Sequence, residues 1–362
     1  MIAGLKNLWD GVRGNGDHAI TTPPMDGVLQ PNNLIEEAPG LAAIDAPDNL
    51  VCTHDGLLFS SGSRLMRLEG ETPTVIAEFE AEITAMAASG TGALAVATAD
   101  GAIRLRGGAF DAKIIGGPGK PFACVTALCF ADEKTVLFCQ GSSKHPLRDW
   151  KRDLMERNAH GSVHRLDLAS GETRVLAAEL AFPYGVLATA DAGCVVSDSW
   201  RSRIIRIDAR GNISTVLSDL PGYPARLSPK TGGGAWLAVF APRNQLIEFI
   251  LRETRFREQM MATIDPDLWI APSLTAPKSF LDPLQGGGLK QLGVMKPWAP
   301  TRSFGLVIAL NGAFLPTASW HSRADGTRHG ITSVVERNDQ LVAASKGGNV
   351  LVSLASTNGS KS

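Results

Sequence analysis

The chain has 362 residues, 44% of them hydrophobic and 20% charged, ordinary values for a soluble protein with a sizeable core. Its 35 Lys and Arg nearly balance 36 Asp and Glu, and a net charge of −1 provides no global field to attract nucleic acid or anionic lipid. No run approaches the roughly 20 apolar residues of a transmembrane segment, and the five cysteines stand at irregular spacing without a CxxC, against a disulfide framework or a zinc site.

The N-terminal MIAGLKNLWDGVRGNGDH lacks the apolar core of a signal peptide, so a reducing, cytoplasmic setting is expected. Leu5, Leu8, Trp9 and Val12 share one helical face that docks either on the protein's own body or on a membrane. Residues 1–40 carry no repeat and read as an N-terminal arm, with TTPPMDGVLQPNN extended.

From residue 41 onward a pattern recurs: a Gly-containing turn, an apolar strand, a short polar turn and a second alternating strand. It starts at Asp55, Thr91, Lys134 (resuming at Gly161), Ala192, Gly233 and Asp339. The spacing matches the roughly 40 residues of a four-stranded propeller blade. The expected fold is therefore all-β, a six-bladed β-propeller over 41–355, in which radial closure removes exposed sheet edges. Residues 356–362 are expected to form a disordered tail.

The interval from Gly233 to Asp339 is nearly twice the longest of the others. It must hold an insertion, placed at 251–300, that opens with the basic amphipathic LRETRFREQMMATI and continues through a Pro- and Gly-rich stretch. A shorter interruption, HPLRDWKRDLMERN from His145 to Asn158, also reads as helical. Such insertions act as lids or binding loops, or as helices buttressing neighbouring blades. Both are expected over one mouth of the propeller.

Between Asp149 and Asn244 the phrases RDLMERNAHGSVHRLDLASGE, YGVLATADAG, SDSWRSRIIRID and LPGYPARL follow one another, and ITSVVERND begins at Ile331. In this order they resemble the strictosidine synthase-like proteins, six-bladed propellers related to gluconolactonase-like and paraoxonase-like hydrolases. The resemblance runs from about Leu41 to Leu354. It implies an axial site and, in the hydrolases, a divalent cation held by carboxylate and amide oxygens. At the implied metal positions this chain has Tyr184, Ala225 and Arg226, with Gln140 near a further one. A guanidinium repels a cation, so no metal cofactor is expected. The synthase's catalytic glutamate corresponds to Thr332, which cannot shuttle a proton near neutrality, so the synthase reaction is not expected.

Arg226 either takes over the metal's task toward a substrate carboxylate, phosphate or oxyanion, or pairs with an acidic neighbour such as Asp198 and plugs the channel. Tyr184 donates a hydrogen bond, acts as a general acid, or fills the vacated space. Asp198 is a base or the arginine's anchor. His145, His321 and His329 are loop candidates for general base, and Trp200 and Trp320 form an aromatic wall or pack between blades. The reading is a small-molecule enzyme, a metal-independent hydrolase or lactonase. Tyr184, Asp198, Arg226 and His329 are its catalytic candidates, and Gln140, His145, Trp200, His321 and Thr332 line the substrate. The alternatives are a binding protein for an anionic small molecule and a protein-interaction propeller.

Overall fold

The computed structural model describes residues 22–54, 56–277, 282, 301–338 and 340–355, with backbone alone at 290–291 and 294–295. Leu5, Leu8, Trp9, Val12 and the tail at 356–362 lie outside the described residues. Six four-stranded antiparallel sheets form the blades of a propeller. From the axis outward, the first five begin with the inner strands Pro47–Thr53, Ile83–Ala88, Val125–Asp132, Pro183–Ala188 and Gly222–Pro229. The sixth begins with Ile331–Arg337 and takes its outermost strand, Gly40–Ala43, from the other end of the chain, which pairs with Val350–Leu354 and closes the ring.

The strands form because each blade must bury both faces against its neighbours. Second strands such as Gly56–Ser61 and Ala235–Pro242 are therefore buried at every residue and read as near-continuous apolar runs, whereas every residue of the outer strand Thr72–Glu78 is exposed or half-buried. One apolar cluster fills each blade interface. Leu57, Phe59 and Met66 of blade 1 pack against Val342, Ala344 and Leu351 of blade 6, and Phe138 of blade 3 packs with Ala95, Ala97 and Ile103 of blade 2. At the lower end of the channel, Glu336 ties blade 6 to blade 5 by accepting hydrogen bonds from Trp236 Nε1 at 2.8 Å and the Thr231 amide at 2.9 Å.

Both insertions leave their blades between the second and third strands, and antiparallel topology places them on the face where the inner strands begin. After a short helix α1, Leu34–Glu37, the blade 3 insertion carries α2, Trp150–Met155. The buried carboxylate of Asp153 fixes α2, accepting from Ser142 Oγ at 2.6 Å, Trp200 Nε1 at 2.8 Å and Asn158 Nδ2 at 3.2 Å. The RDLMERN wording thus reflects a polar anchor.

The blade 5 insertion begins at Arg243, earlier than expected. The pattern of QLIEFI suits a second alternating strand, but Gln245–Ile250 is a helix, α3. Asn244 caps it by accepting from the Leu246 amide, and Ile247 and Ile250 bury one face. The third strand of blade 5 is instead Leu306–Leu310. Helix α4, Thr254–Thr263, follows. The two insertions meet over the axis: Lys151 Nζ donates to the Pro266 carbonyl at 3.0 Å, and the Arg152 guanidinium lies 5.0 Å from the Trp269 ring centre.

The segment behind α4 rests on the sixth blade through two glycines. A Cβ on Gly347 would stand 1.8 Å from the Leu274 carbonyl oxygen, and one on Gly330, at φ +66°, would stand 2.6 Å from the same atom. Backbone meets backbone here, so Gly347→Ala must push the 271–277 segment off the turn. We expect it to destabilise the fold by about 1–3 kcal/mol and to speed limited proteolysis within the insertion, read by thermal melting and digestion.

Candidate functional site

Every inner strand is irregular near its start, and these bulges build the site. In blades 2, 3, 4 and 6 one extra residue sits between the regular pairs: Thr84, Thr126, Tyr184 and Thr332. In blades 1 and 5 the register slips after Asp48 and around Ala225 and Arg226. A bulge re-aims a side chain and frees backbone groups from the ladder. Six bulges at one level therefore place polar groups around the axis.

Arg226, only 8% exposed, spans this ring. Its Nη1 donates to Asp48 Oδ1 at 2.6 Å and, more distantly, to the Thr332 carbonyl at 3.4 Å, and its Nη2 donates to the Thr84 carbonyl at 2.8 Å. Its Cζ lies 5.0 Å from the centre of the Tyr184 ring, a cation–π contact. Asp48 also accepts from Thr332 Oγ1 at 2.7 Å, from Lys346 Nζ at 3.0 Å and from the Asn49 amide at 2.8 Å. Lys346 stands in the turn after the second strand of blade 6, with 19% of its side chain exposed, and its Nζ lies 3.9 Å from Glu82.

Burial alone would raise the Asp48 carboxyl, but the charges of Arg226 and Lys346 and the hydrogen bonds from Thr332 and Lys346 outweigh it and hold the group at about 2. Burial pulls Lys346 down, and the Asp48 carboxylate more than reverses it, so the ammonium titrates above its usual range. Burial raises the Tyr184 phenol, which stays neutral and can donate. Its hydroxyl has no protein partner among the described residues. Asn49 Oδ1, Thr84 Oγ1 and Arg226 Nε are buried without a protein partner. Arg226 and Ser333 line the upper end of a channel cavity of about 310 Å³ that reaches Cys52, Phe130 and Glu336.

Tyr184, Arg226 and Thr332 thus come together at the axis. The other sequence candidates do not join them. Asp198 is not the partner of Arg226: fully buried at the end of the second strand of blade 4, it accepts from the Ala181 amide at 2.7 Å and from Arg203 Nε at 2.8 Å. His329 is buried with both ring nitrogens engaged, by Ser303 Oγ at 2.8 Å and the Arg323 carbonyl at 2.8 Å, and burial lowers its pKa. His321 ends an outer strand rather than lying in a loop; it meets Ser319 Oγ at 2.9 Å, and burial lowers its pKa to about 4. His145 pairs with Glu156 at 2.7 Å beside α2. Trp200 stacks on Phe182 at 4.4 Å, Trp320 packs against Trp236 at 5.4 Å, and half-buried Gln140 ends a strand of blade 3.

Asp48, Lys346 and Thr84 were absent from the sequence candidates. A signal for the first was present: APDNL of blade 1 repeats the Pro-x-x opening of FPYGV and YPARL in blades 4 and 5. Likewise ITA, VTA and ITS open blades 2, 3 and 6. Aligning the blades with each other marks Asp48 and Thr84 as axial.

The donor set does not fit a divalent cation. Such an ion needs six to eight oxygens, carboxylates among them, whereas the carboxylate here already bridges two fixed cations. No group of three or more His, Cys, Asp or Glu able to hold a metal occurs among the described residues.

Six blades around an ion-paired axis define the protein as a six-bladed β-propeller with a polar, cationic hub. Residues 127–211 match the strictosidine synthase family model. The chain is 27% identical over 245 residues to the adipocyte plasma membrane-associated protein of Rattus norvegicus, covering 60% of this chain and 65% of that one. To the protein of the same name in Danio rerio it is 32% identical over 117 residues, 31% of this chain and 28% of the other. The matches thus span less than two thirds of these relatives' length. A gluconolactonase from Xanthomonas campestris shares the fold at a TM-score of 0.53 and 16% identity, over 87% of this chain and 88% of its own. No helix among the described residues is long and apolar enough to cross a membrane.

The Asp48 linkage has a definite sign. A carboxyl depressed from 3.8 to about 2 adds stability that is present above its unfolded pKa and lost as pH falls through about 2. At 1.36 kcal/mol per pKa unit this is about 2 kcal/mol. Asp100 and Asp191 are also depressed to about 2, but their partners are surface arginines whose pairing is weak. Urea unfolding of the wild type at pH 5, 4, 3 and 2 should therefore show an acid loss that Asp48→Asn lacks. Parallel pH profiles in the two proteins would refute the assignment.

Proposed function

We propose that this propeller binds a small anionic molecule at the insertion-covered end of its axis, a carboxylate being the group its donors suit. One observation carries the reading: two cations, Arg226 and Lys346, share the single carboxylate of Asp48. Among the buried groups the cluster is one positive charge in excess, and its further counter-charge, Glu82, lies 3.9 Å from Lys346 with 47% of its side chain in solvent, where screening weakens it, so the dry side of the cluster favours an anionic partner. Lys346, the more exposed cation, and the unpartnered Tyr184 hydroxyl supply donors without dismantling the buried pair.

The second reading is a metal-independent hydrolase of lactonase type. The same donors would meet the oxyanion that forms when water attacks a lactone carbonyl. The gluconolactonase neighbour supports the reading only as far as a shared fold can. Binding is preferred because the titratable groups of the cluster are shifted away from neutrality, where a base would work: Asp48 is held far below it, and Lys346 and Tyr184 lie above their usual values. For location, the five unpaired cysteines fit a reducing, cytoplasmic compartment, whereas the rat and zebrafish relatives are named for the plasma membrane.

Gluconate titrated calorimetrically, and glucono-lactone followed by pH-stat, separate the two readings. The expected result is gluconate binding weakened at least tenfold in Lys346→Gln and several-fold in Tyr184→Phe, with lactone opening at the uncatalysed rate. Catalysed opening that falls in the same variants would establish the hydrolase. Unchanged gluconate binding in both variants would reject the axis as the site.

A further inference from the structure

A second cationic concavity lies off the axis, between the end of α2, the strand turn of blade 4 and helix α3. Its cavity of about 840 Å³ is lined by Arg157, Arg201, Arg203, Arg243 and Arg252, with Trp200 on its wall. That volume falls within the range of small-molecule sites. Its acids are few. Asp219 and Glu248 complete the charge, and Asp198 lies beneath, fully buried. Setting aside Arg252, which has a partner of its own, four positive charges face three negative ones, an excess of one.

Most of the guanidinium donors are not consumed by this framework. Arg203 uses Nε on Asp198 at 2.8 Å and Nη1 on Thr215 at 3.5 Å. Arg201 uses Nη1 on the Glu179 carbonyl at 3.1 Å and on Asp198 at 3.4 Å. Arg243 donates from Nε to Glu248 at 3.0 Å, while Asp219 lies 3.7 Å away with 81% of its side chain exposed at the rim. The Arg157 guanidinium makes no hydrogen bond or ion pair with a described residue. A guanidinium carries five N–H donors; Arg157 and Arg201 are exposed, and no nitrogen of the half-buried Arg203 and Arg243 is buried without a partner. The unused donors therefore face the solvent of the cleft.

The framework also fixes their positions. Asp198 holds Arg201 and Arg203 side by side through its Oδ2, and Glu248 holds Arg243 across from them. Arginines held in this way present preorganised forks for oxyanions. Like charges gathered in one concavity repel each other until a counter-charge enters, and a cleft of one sign concentrates anions.

The geometry points to this cleft as a binding site, separate from the axis, for a small molecule carrying two or more oxyanion groups. Phosphate and carboxylate groups share that chemistry. The arms of the test tell them apart.

Inorganic pyrophosphate and citrate are titrated by calorimetry against the full chain, its Arg157→Gln/Arg243→Gln variant, Lys346→Gln, and Arg165→Gln on the outer face of blade 3. Neither cleft substitution touches Asp198, and far-ultraviolet dichroism and melting confirm folding. The expected result is one site per chain, weakened at least tenfold in the double variant, unchanged in Arg165→Gln, and weaker with added salt. The tighter of the two probes names the oxyanion class. Equal binding by the double variant overturns the proposal. So does a loss confined to Lys346→Gln, which would put the anion at the axis, or an equal loss with Arg165→Gln, which would make the binding a general charge effect.

Discussion

The Asp48 carboxylate, shared between Arg226 and Lys346 at the centre of the ring, is the interaction on which the axis depends. It joins blades that the strand ladders leave unconnected: Asp48 belongs to blade 1, Arg226 to blade 5, and Thr332 and Lys346 to blade 6, while Arg226 also reaches the Thr84 carbonyl of blade 2. A buried ion pair is not by itself a strong source of stability, because desolvation cancels much of the Coulomb gain. Its force lies in the asymmetry of breaking it. Removal of one partner leaves an uncompensated charge in a dry channel, at a cost of about 3–5 kcal/mol. The network therefore constrains which residues the bulged positions can hold more than it adds to net stability.

That constraint also shapes the chemistry. A propeller axis offers converging carbonyl and side-chain oxygens, an environment suited to a cation. Here the cations are covalently part of the chain, and Arg226 takes hydrogen-bond acceptors from three blades. The Lys346 ammonium, which keeps part of its side chain in solvent, is then the cation presented to a ligand entering from the insertion-covered face. On the same face, Asp153 anchors α2 and Leu274 rests on Gly347, the residue after Lys346. Cover and cation are thus mechanically adjacent.

The fold was legible because its determinants are local and repeated. Gly-containing turns and apolar second strands recur at blade spacing, and each strand's burial follows from its place in the sheet. The departure at Gln245–Ile250 is instructive, since its apolar residues satisfy both a period of two and a helical face, and the Asn244 cap tips the balance to helix. The site was half legible. Tyr184, Arg226 and Thr332 stood out as changed residues in familiar phrases. Asp48 and Lys346 did not, because their partners are 178 and 298 residues away in sequence, and only ring closure makes them neighbours. Asp198, one of whose two expected roles was to anchor Arg226, holds Arg203 instead, because ring closure brings Asp48 of blade 1 to Arg226.

A double-mutant cycle on Asp48→Asn and Arg226→Gln, read by urea unfolding at pH 7, tests this account most directly. If the two groups form the central pair, each single substitution strands its partner, and the double variant loses less than the sum of the singles by at least about 1.5 kcal/mol. Losses that add to within about 0.5 kcal/mol would mean that the two residues act independently, and the axis would need another organising contact.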